Sequence, residues 1–301
     1  MAEHEPLTPE RRRASPAQVR RRRLVALTAL VGAVVLVVVA VAVALPHVRH
    51  ERAAPPPPPP PPKPFRVIFP EGFTRSQMAQ RVVAVAKIAR RKRGKPVKLS
   101  GRLYLRATRT ATVPCFAPRR RTNLEGFLFP ATYDFLGKTT SRQLVGAQLQ
   151  AFCGNWRSVN LKYAKRKNLT PYDVLTIASM VEKEAQVASE RPLIAAVIYN
   201  RLHNRMPLGI DATLRYGLHI APTQSILQSQ LDSDSPYNTR KVPGLPPTPI
   251  ANPGLASIRA AAHPANVDYL YFVRKPDKIH HFFTASDTAF AQYECAHGYG
   301  C

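Results

Sequence analysis

Residues 170–187 read TPYDVLTIASMVEKEAQV, and the strongest helix start in the chain lies at their head. Thr170 can accept a hydrogen bond from a first-turn N–H. Pro171 is tolerated at the first helical position, and Asp173 places an acid where the helix dipole favours one. At about 100° per residue the apolar stripe of this helix is Val174, Ile177, Ala178, Val181 and Ala185. Glu182 and Glu184 flank that stripe on opposite edges, while Lys183 points away from it. A carboxyl at such an edge is partly withdrawn from water, which raises its pKa and lets it stay protonated as a general acid. The same position also suits a surface pair with a nearby Lys or Arg, and periodicity alone does not choose between the two.

Working outward, Thr140 can cap a helix through QLVGAQLQAF and Ser189 one through LIAAVIYNRL, and Asn252-Pro253 opens GLASIRAAA. DYLYFV (268–273) and IHHFFT (279–284), separated by RKPDK, read as a β-hairpin. Residues 122–301 therefore form a mainly helical domain with a small β-sheet. Before it, residues 65–121 read as a small α+β module. FRVIF (65–69) is its first strand, Thr74 caps a helix through MAQRVVAVAKIA, and GRLYLRAT is predicted as a second strand. The fold class is α+β.

The chain carries 44 Lys+Arg against 18 Asp+Glu in 301 residues, a net charge of +26. A charge of this size suggests nucleic acid first, but its distribution removes that reading. Residues 24–45 are LVALTALVGAVVLVVVAVAVAL, 22 uncharged residues, or roughly 33 Å of helix, enough to span a bilayer. The tail before them holds seven Arg against Glu3, Glu5 and Glu10, net +4, which keeps it cytoplasmic and sends the rest outside. Residues 46–64 form a proline-rich linker whose octaproline, Pro55 to Pro62, makes a stiff polyproline II stalk of roughly 25 Å. Residues 63–121 hold seventeen Lys/Arg and only Glu71 as an acid, net +16, whereas 122–301 carry a net +5. The charge thus sets topology and marks a basic module, and no nucleic-acid partner is expected. All four cysteines lie beyond the apolar segment, and Cys115–Cys153 and Cys295–Cys301 are the expected disulfides because each closes a short loop.

Further candidates sit in loops. Glu125 lies among aromatics in LEGFLFP (124–130), and Tyr237 with Asn238 in SPYNT (235–239) suits a sugar ring and its acetamide. Asp211 in GIDAT reads as an N-cap, and of His280 and His281, alternating on a strand, only one can face a cleft. No zinc signature, phosphate-cradling glycine loop or nucleophile elbow is present, so neither metal nor cofactor is expected.

Eight segments in order, LEGFLFPATYDF (124–135), ASMVEKEA (178–185), VIYNRL (197–202), MPLGIDATLRYGL (206–218), SPYNTR (235–240), GLPPTPIANPGLASIRAAAHP (244–264), DYLYFV and HHFFT (280–284), resemble the YceG-like (MltG) endolytic murein transglycosylases. The resemblance implies a membrane anchor, a LysM-like module at 65–121 and a catalytic domain at 122–301. It implies cleavage of the MurNAc-β-1,4-GlcNAc bond of nascent glycan strands, leaving 1,6-anhydro-MurNAc ends and terminating elongation. One carboxyl then serves as acid and afterwards as base, and the resemblance places it at Glu184, with Ala185 as the small residue after it. It makes Glu182, Glu125, Tyr237 and Asn238 substrate-cleft candidates, and peptidoglycan, the plasma membrane and peptidoglycan synthases the partners. Thr248, where the family commonly has Gly, and Ala212, where it has Pro, depart from its pattern. The alternative is a non-catalytic wall-binding scaffold of the peptidoglycan synthesis machinery.

Overall fold

The computed structural model describes residues 15–44, 62–94, 96–117 and 120–299. Arg11 to Arg13, nearly all of the octaproline and Cys301 lie outside them. The chain divides into two compact units, Met1–Pro61 and Pro62–Cys301. In the first, α1 (Pro16–Ala44) is a 29-residue helix, long and apolar enough to cross a membrane, with no buried residue. Its length and composition are compatible with a membrane span.

The second unit opens with β1 (Phe65–Ile68) and a turn at Glu71-Gly72, where Gly72 takes φ 74°. Thr74 and Gln77 then form a capping box at the start of α2 (Arg75–Arg93), which ends at Gly94 in the left-handed conformation. The segment GRLYLRAT, expected as a strand, is instead α3 (Gly101–Ala107). Gly101 and Tyr104 are its buried residues and Thr108 the buried cap that follows, a helical spacing, and a Cβ on Gly101 would lie 2.6 Å from Val83 of α2. The close approach of α3 to α2 decides a segment whose local pattern was ambiguous.

β2 (Ala111–Thr112) pairs antiparallel with β3 (Arg120–Arg121), and β4 (Thr132–Phe135) returns antiparallel to β1, with Phe65 opposite Phe135. The partner of the first strand therefore comes from beyond residue 121. The expected Cys115–Cys153 disulfide ties the segment after β2 to α4 (Ser141–Trp156). The Cys295–Cys301 pairing involves a residue outside those described.

α5 (Lys162–Arg166) leads to α6 (Pro171–Glu184), which starts with the Thr170–Asp173 capping box and Pro at the first helical position. Every residue of α6 from Val174 to Val181 is buried, so the single apolar stripe expected of it is a correction in kind. A helix wrapped on all sides buries its polar residues too: Thr176 donates to Tyr172 O and Ser179 to Thr176 O, which satisfies both hydroxyls. Because α6 is central, Thr170→Ala should lower the stability of the whole unit by about 1 kcal/mol. A shift of the urea midpoint without a change of slope would report that loss.

A 3₁₀ turn at Ala188–Glu190 precedes α7 (Arg191–His203). Ser189, expected as a cap, lies within that turn and makes no capping bond, and Glu190 takes the cap position. α8 (Asp211–Gly217) begins at Asp211, which is thus the first helical residue rather than the expected N-cap. α9 (Gln228–Leu231) and α10 (Leu255–Ala262) follow, then the antiparallel hairpin of β5 (Tyr271–Arg274) and β6 (His281–Thr284), and α11 (Asp287–Ala296). α6 packs against α7, α8 and α10.

Candidate active site

Glu184 is the last residue of α6, after which Ala185 turns the chain to extended backbone. It is partly exposed, and among the described residues its carboxyl accepts no hydrogen bond and makes no ion pair. Burial raises its pKa to about 7, opposed by the positive charge of Arg274 and reinforced by the negative charge of Asp211. The negative end of the α6 dipole acts in the same direction as burial. Asp211 is itself held by Arg240, whose Nη2 lies 2.6 Å from its Oδ1. Three segments far apart in sequence, the start of α8, the loop at 240 and the end of β5, thus set the charge around one carboxyl. A group ionising near 7 can give up a proton and take one back at neutral pH.

Glu182, two residues earlier, has no such freedom. Its Oε2 accepts from Ser257 Oγ at 2.7 Å and from the Gly254 N–H at 3.1 Å, both at the start of α10. Burial raises its pKa, the two hydrogen bonds lower it, and Glu71 raises it again. The carboxylate caps a helix N-terminus and joins α6 to α10.

Glu125, expected in the substrate cleft, is buried at 3% exposure. It accepts from the Arg75 N–H at 3.0 Å, from Asn252 Nδ2 at 2.7 Å and from Tyr216 Oη at 3.1 Å. Burial still pushes its pKa to about 7, against the pull of the Arg75 backbone N–H and charge. Its geometry is that of an internal tie between α2, α8 and the 252 loop. Asn238 is likewise fully buried, its amide donating to Leu231 O and Ser233 O at 2.8 and 2.7 Å. It shapes its own loop. Tyr237 is partly exposed, its ring 5.3 Å from that of Tyr216 and its hydroxyl 2.8 Å from Thr248 Oγ1. Of the five residues singled out from the sequence, Glu125 and Asn238 are buried and Glu182, Glu184 and Tyr237 are partly exposed, and Glu184 alone of the five has no hydrogen-bond partner among the described residues.

The model of the YceG-like family matches residues 55–294 of this sequence. The chain belongs to the YceG-like family. It is 35% identical over 218 residues to an endolytic murein transglycosylase of Bacillus subtilis, covering 70% of this chain and 59% of that protein. To one of Streptococcus pneumoniae strain R6 it is 36% identical over 222 residues, 68% of this chain and 39% of the relative. The chain thus spans well under two thirds of the length of these relatives. A solved yceG-like protein from Listeria monocytogenes superposes with a TM-score of 0.63 at 30% identity, covering 77% of this chain and 76% of that one.

Within this YceG-like domain the residue that sequence reasoning passed over is Asn252. Asn252-Pro253 reads in sequence as the opening of α10, whose cap is Gly254. Asn252 is fully buried, and its Oδ1 accepts from the Gly126 and Leu128 N–H groups, each at 2.9 Å. Its amide donates to Phe73 O and Glu125, and its backbone bonds to Gly72 and Phe73. One side chain therefore binds the 72–73 turn, the 125–128 loop and the loop before α10. The signal available in sequence was its setting directly before Pro253, in ANPG of the family-like segment. Thr248 supplies the hydroxyl that meets Tyr237, a contact a glycine there would lack. His281 is buried against Glu190, Nδ1 to Oε2 2.7 Å, and His280 is exposed beside Asp277, so neither opens on the Glu184 site as a free pair. Among the described residues no cluster of three metal-ligating side chains occurs.

Proposed function

We propose that this chain is a membrane-anchored endolytic peptidoglycan lytic transglycosylase in which Glu184 is the catalytic acid and base. The observation that carries the reading is the state of that carboxyl: partly exposed, held by no partner among the described residues, and ionising near 7, in a chain of the YceG-like family whose relatives are named endolytic murein transglycosylases. Protonated Glu184 gives its proton to the glycosidic oxygen as the bond from muramyl C1 breaks. The carboxylate left behind then takes the proton of the muramyl C6 hydroxyl as that oxygen bonds to C1. The sugar ends as a 1,6-anhydro group, no water is consumed, and Glu184 returns to its acid form. A hydrolase needs a second carboxylate to hold or replace a water. Asp211, the nearest acid in electrostatic terms, is occupied by Arg240.

Tyr237 offers a ring face to a sugar, while Glu182, Glu125 and Asn238 hold the walls. The helix α1 serves as a single membrane span with the arginine-rich tail in the cytoplasm, placing the catalytic unit outside, near nascent strands and their synthases. β1, α2 and α3, followed after the short β2–β3 pair by β4 antiparallel to β1, support a LysM-like reading of an N-terminal module that runs on to residue 135. Digestion of purified glycan strands by the full chain in detergent, followed by mass analysis of the ends, tests the proposal. Internal cleavage with 1,6-anhydro-MurNAc ends is expected. Reducing MurNAc ends would replace it by a hydrolase, and no cleavage at all by the wall-binding scaffold.

A further inference from the structure

The charge of the N-terminal module is one-sided. Among the described residues its only carboxylate is Glu71, which lies against Gly254 beside Glu182. The outward surface of α2 and α3 carries no acid at all. On α2, Lys87 and Arg91 face away from the buried Met78, Val82, Ala86 and Ala89, and Val83 lies at the seam with α3 at 55% exposure. Gly101 rests on Val83, so Arg102 and Leu103 continue the same surface, with Leu103 46% exposed and Arg106 one turn on. No carboxylate pairs with Lys87, Arg91, Arg102 or Arg106 among the described residues. Exposed aliphatic side chains set among unpaired cations suit a ligand with both charge and hydrocarbon.

We propose that the outer face of α2 and α3 is a docking surface for a bilayer rich in anionic phospholipid, the cations meeting headgroup phosphates while Val83 and Leu103 enter the boundary with the acyl chains. Charge complementarity favours a phosphate-bearing surface, and the two exposed aliphatics favour a lipid over a soluble polyanion. The chain supplies proximity: only residues 45–64, twenty in all, separate α1 from β1. Even fully extended they reach no more than about 70 Å. That proximity rests on the reading of α1 as a membrane span, whereas the face itself does not. A surface of this kind would hold the catalytic unit at the membrane, where lipid-linked glycan strands emerge.

The test uses residues 62–301, a compact unit with its own hydrophobic core. The fragment is sedimented with vesicles of phosphatidylglycerol and phosphatidylcholine, or of phosphatidylcholine alone, at physiological salt. Binding at least about tenfold tighter to the anionic vesicles is expected. Each cation at an anionic surface strengthens binding about fivefold, so K87E/R91E/R102E should weaken it by more than about 100-fold. V83S/L103S should weaken it several-fold with all charges kept. Thermal melts of each variant, with glycan cleavage as a second readout, separate lost binding from lost fold. Equal sedimentation with both vesicle types, or full binding by the charge-reversed variant, would overturn the proposal. Competition by soluble polyglycerol phosphate together with indifference to V83S/L103S would assign the face to a wall polymer instead. Because the fragment lacks α1, the result is independent of whether α1 spans a membrane, and vesicle binding without cleavage would sink the enzymatic reading alone.

Discussion

Glu184→Gln should lower glycan cleavage by about 10³-fold or more and leave the fold intact or firmer. Glutamine keeps the size of the side chain but cannot give or take the proton, and general acid–base catalysis supplies on the order of 10²–10⁴ in rate. The stability effect has a definite sign. Burial holds the native carboxyl at about 7 against an ordinary value of 4.5, so the folded state binds more protons than the unfolded one between those limits. The contribution of this group is fully present below about pH 4.5 and is lost as pH rises through 7. Glutamine removes that loss, so the variant should melt at or above the parent temperature at pH 8, by the equivalent of up to about 3 kcal/mol. For the unsubstituted chain, the proposed mechanism predicts that kcat/KM for glycan cleavage falls as pH rises past about 7, with the loss of the acid form. Glu182→Gln is the matched control. Its side-chain carbonyl can still accept from Ser257 and Gly254, so activity should persist within about tenfold. An inactive Glu182 variant beside an active Glu184 variant would exchange their roles.

Glu125→Ala should destabilise the catalytic unit by about 3–5 kcal/mol, enough to unfold much of a marginally stable domain. The alanine leaves the Arg75 N–H, the Asn252 amide and the Tyr216 hydroxyl facing a buried void with one partner gone. Asn252 is the more serious loss, because its orientation also holds the Gly126 and Leu128 N–H groups. Denaturant melts at pH 6 should show the drop, with Glu125→Gln costing less because its carbonyl still accepts. A loss under 1 kcal/mol for the alanine variant would mean that the hub is not what holds α2 against the 252 loop.

What was legible in sequence was local. The starts at Thr74, Thr140 and Thr170 each place cap and partner three residues apart, and all three form capping boxes. The GRLYLRAT segment failed because eight residues of mixed apolar pattern suit either element, and Val83, eighteen residues before Gly101, made the choice. The two glutamates were found by helical position but could not be ranked by it. Ser257 and Gly254, more than 70 residues on, take Glu182 and leave Glu184 open. Glu125 looked like a cleft residue because an acid among aromatics has no local partner. Its partners lie 50, 91 and 127 residues away.

Cleavage of glycan strands in water enriched in oxygen-18 reads the central step directly. If Glu184 alone moves the proton and the muramyl C6 hydroxyl is the nucleophile, every new muramyl end is a 1,6-anhydro sugar carrying no heavy oxygen. Heavy oxygen at C1 of the new ends, lost in Glu184→Gln or in Asp211→Asn, would show that water attacks and that a second carboxylate takes part.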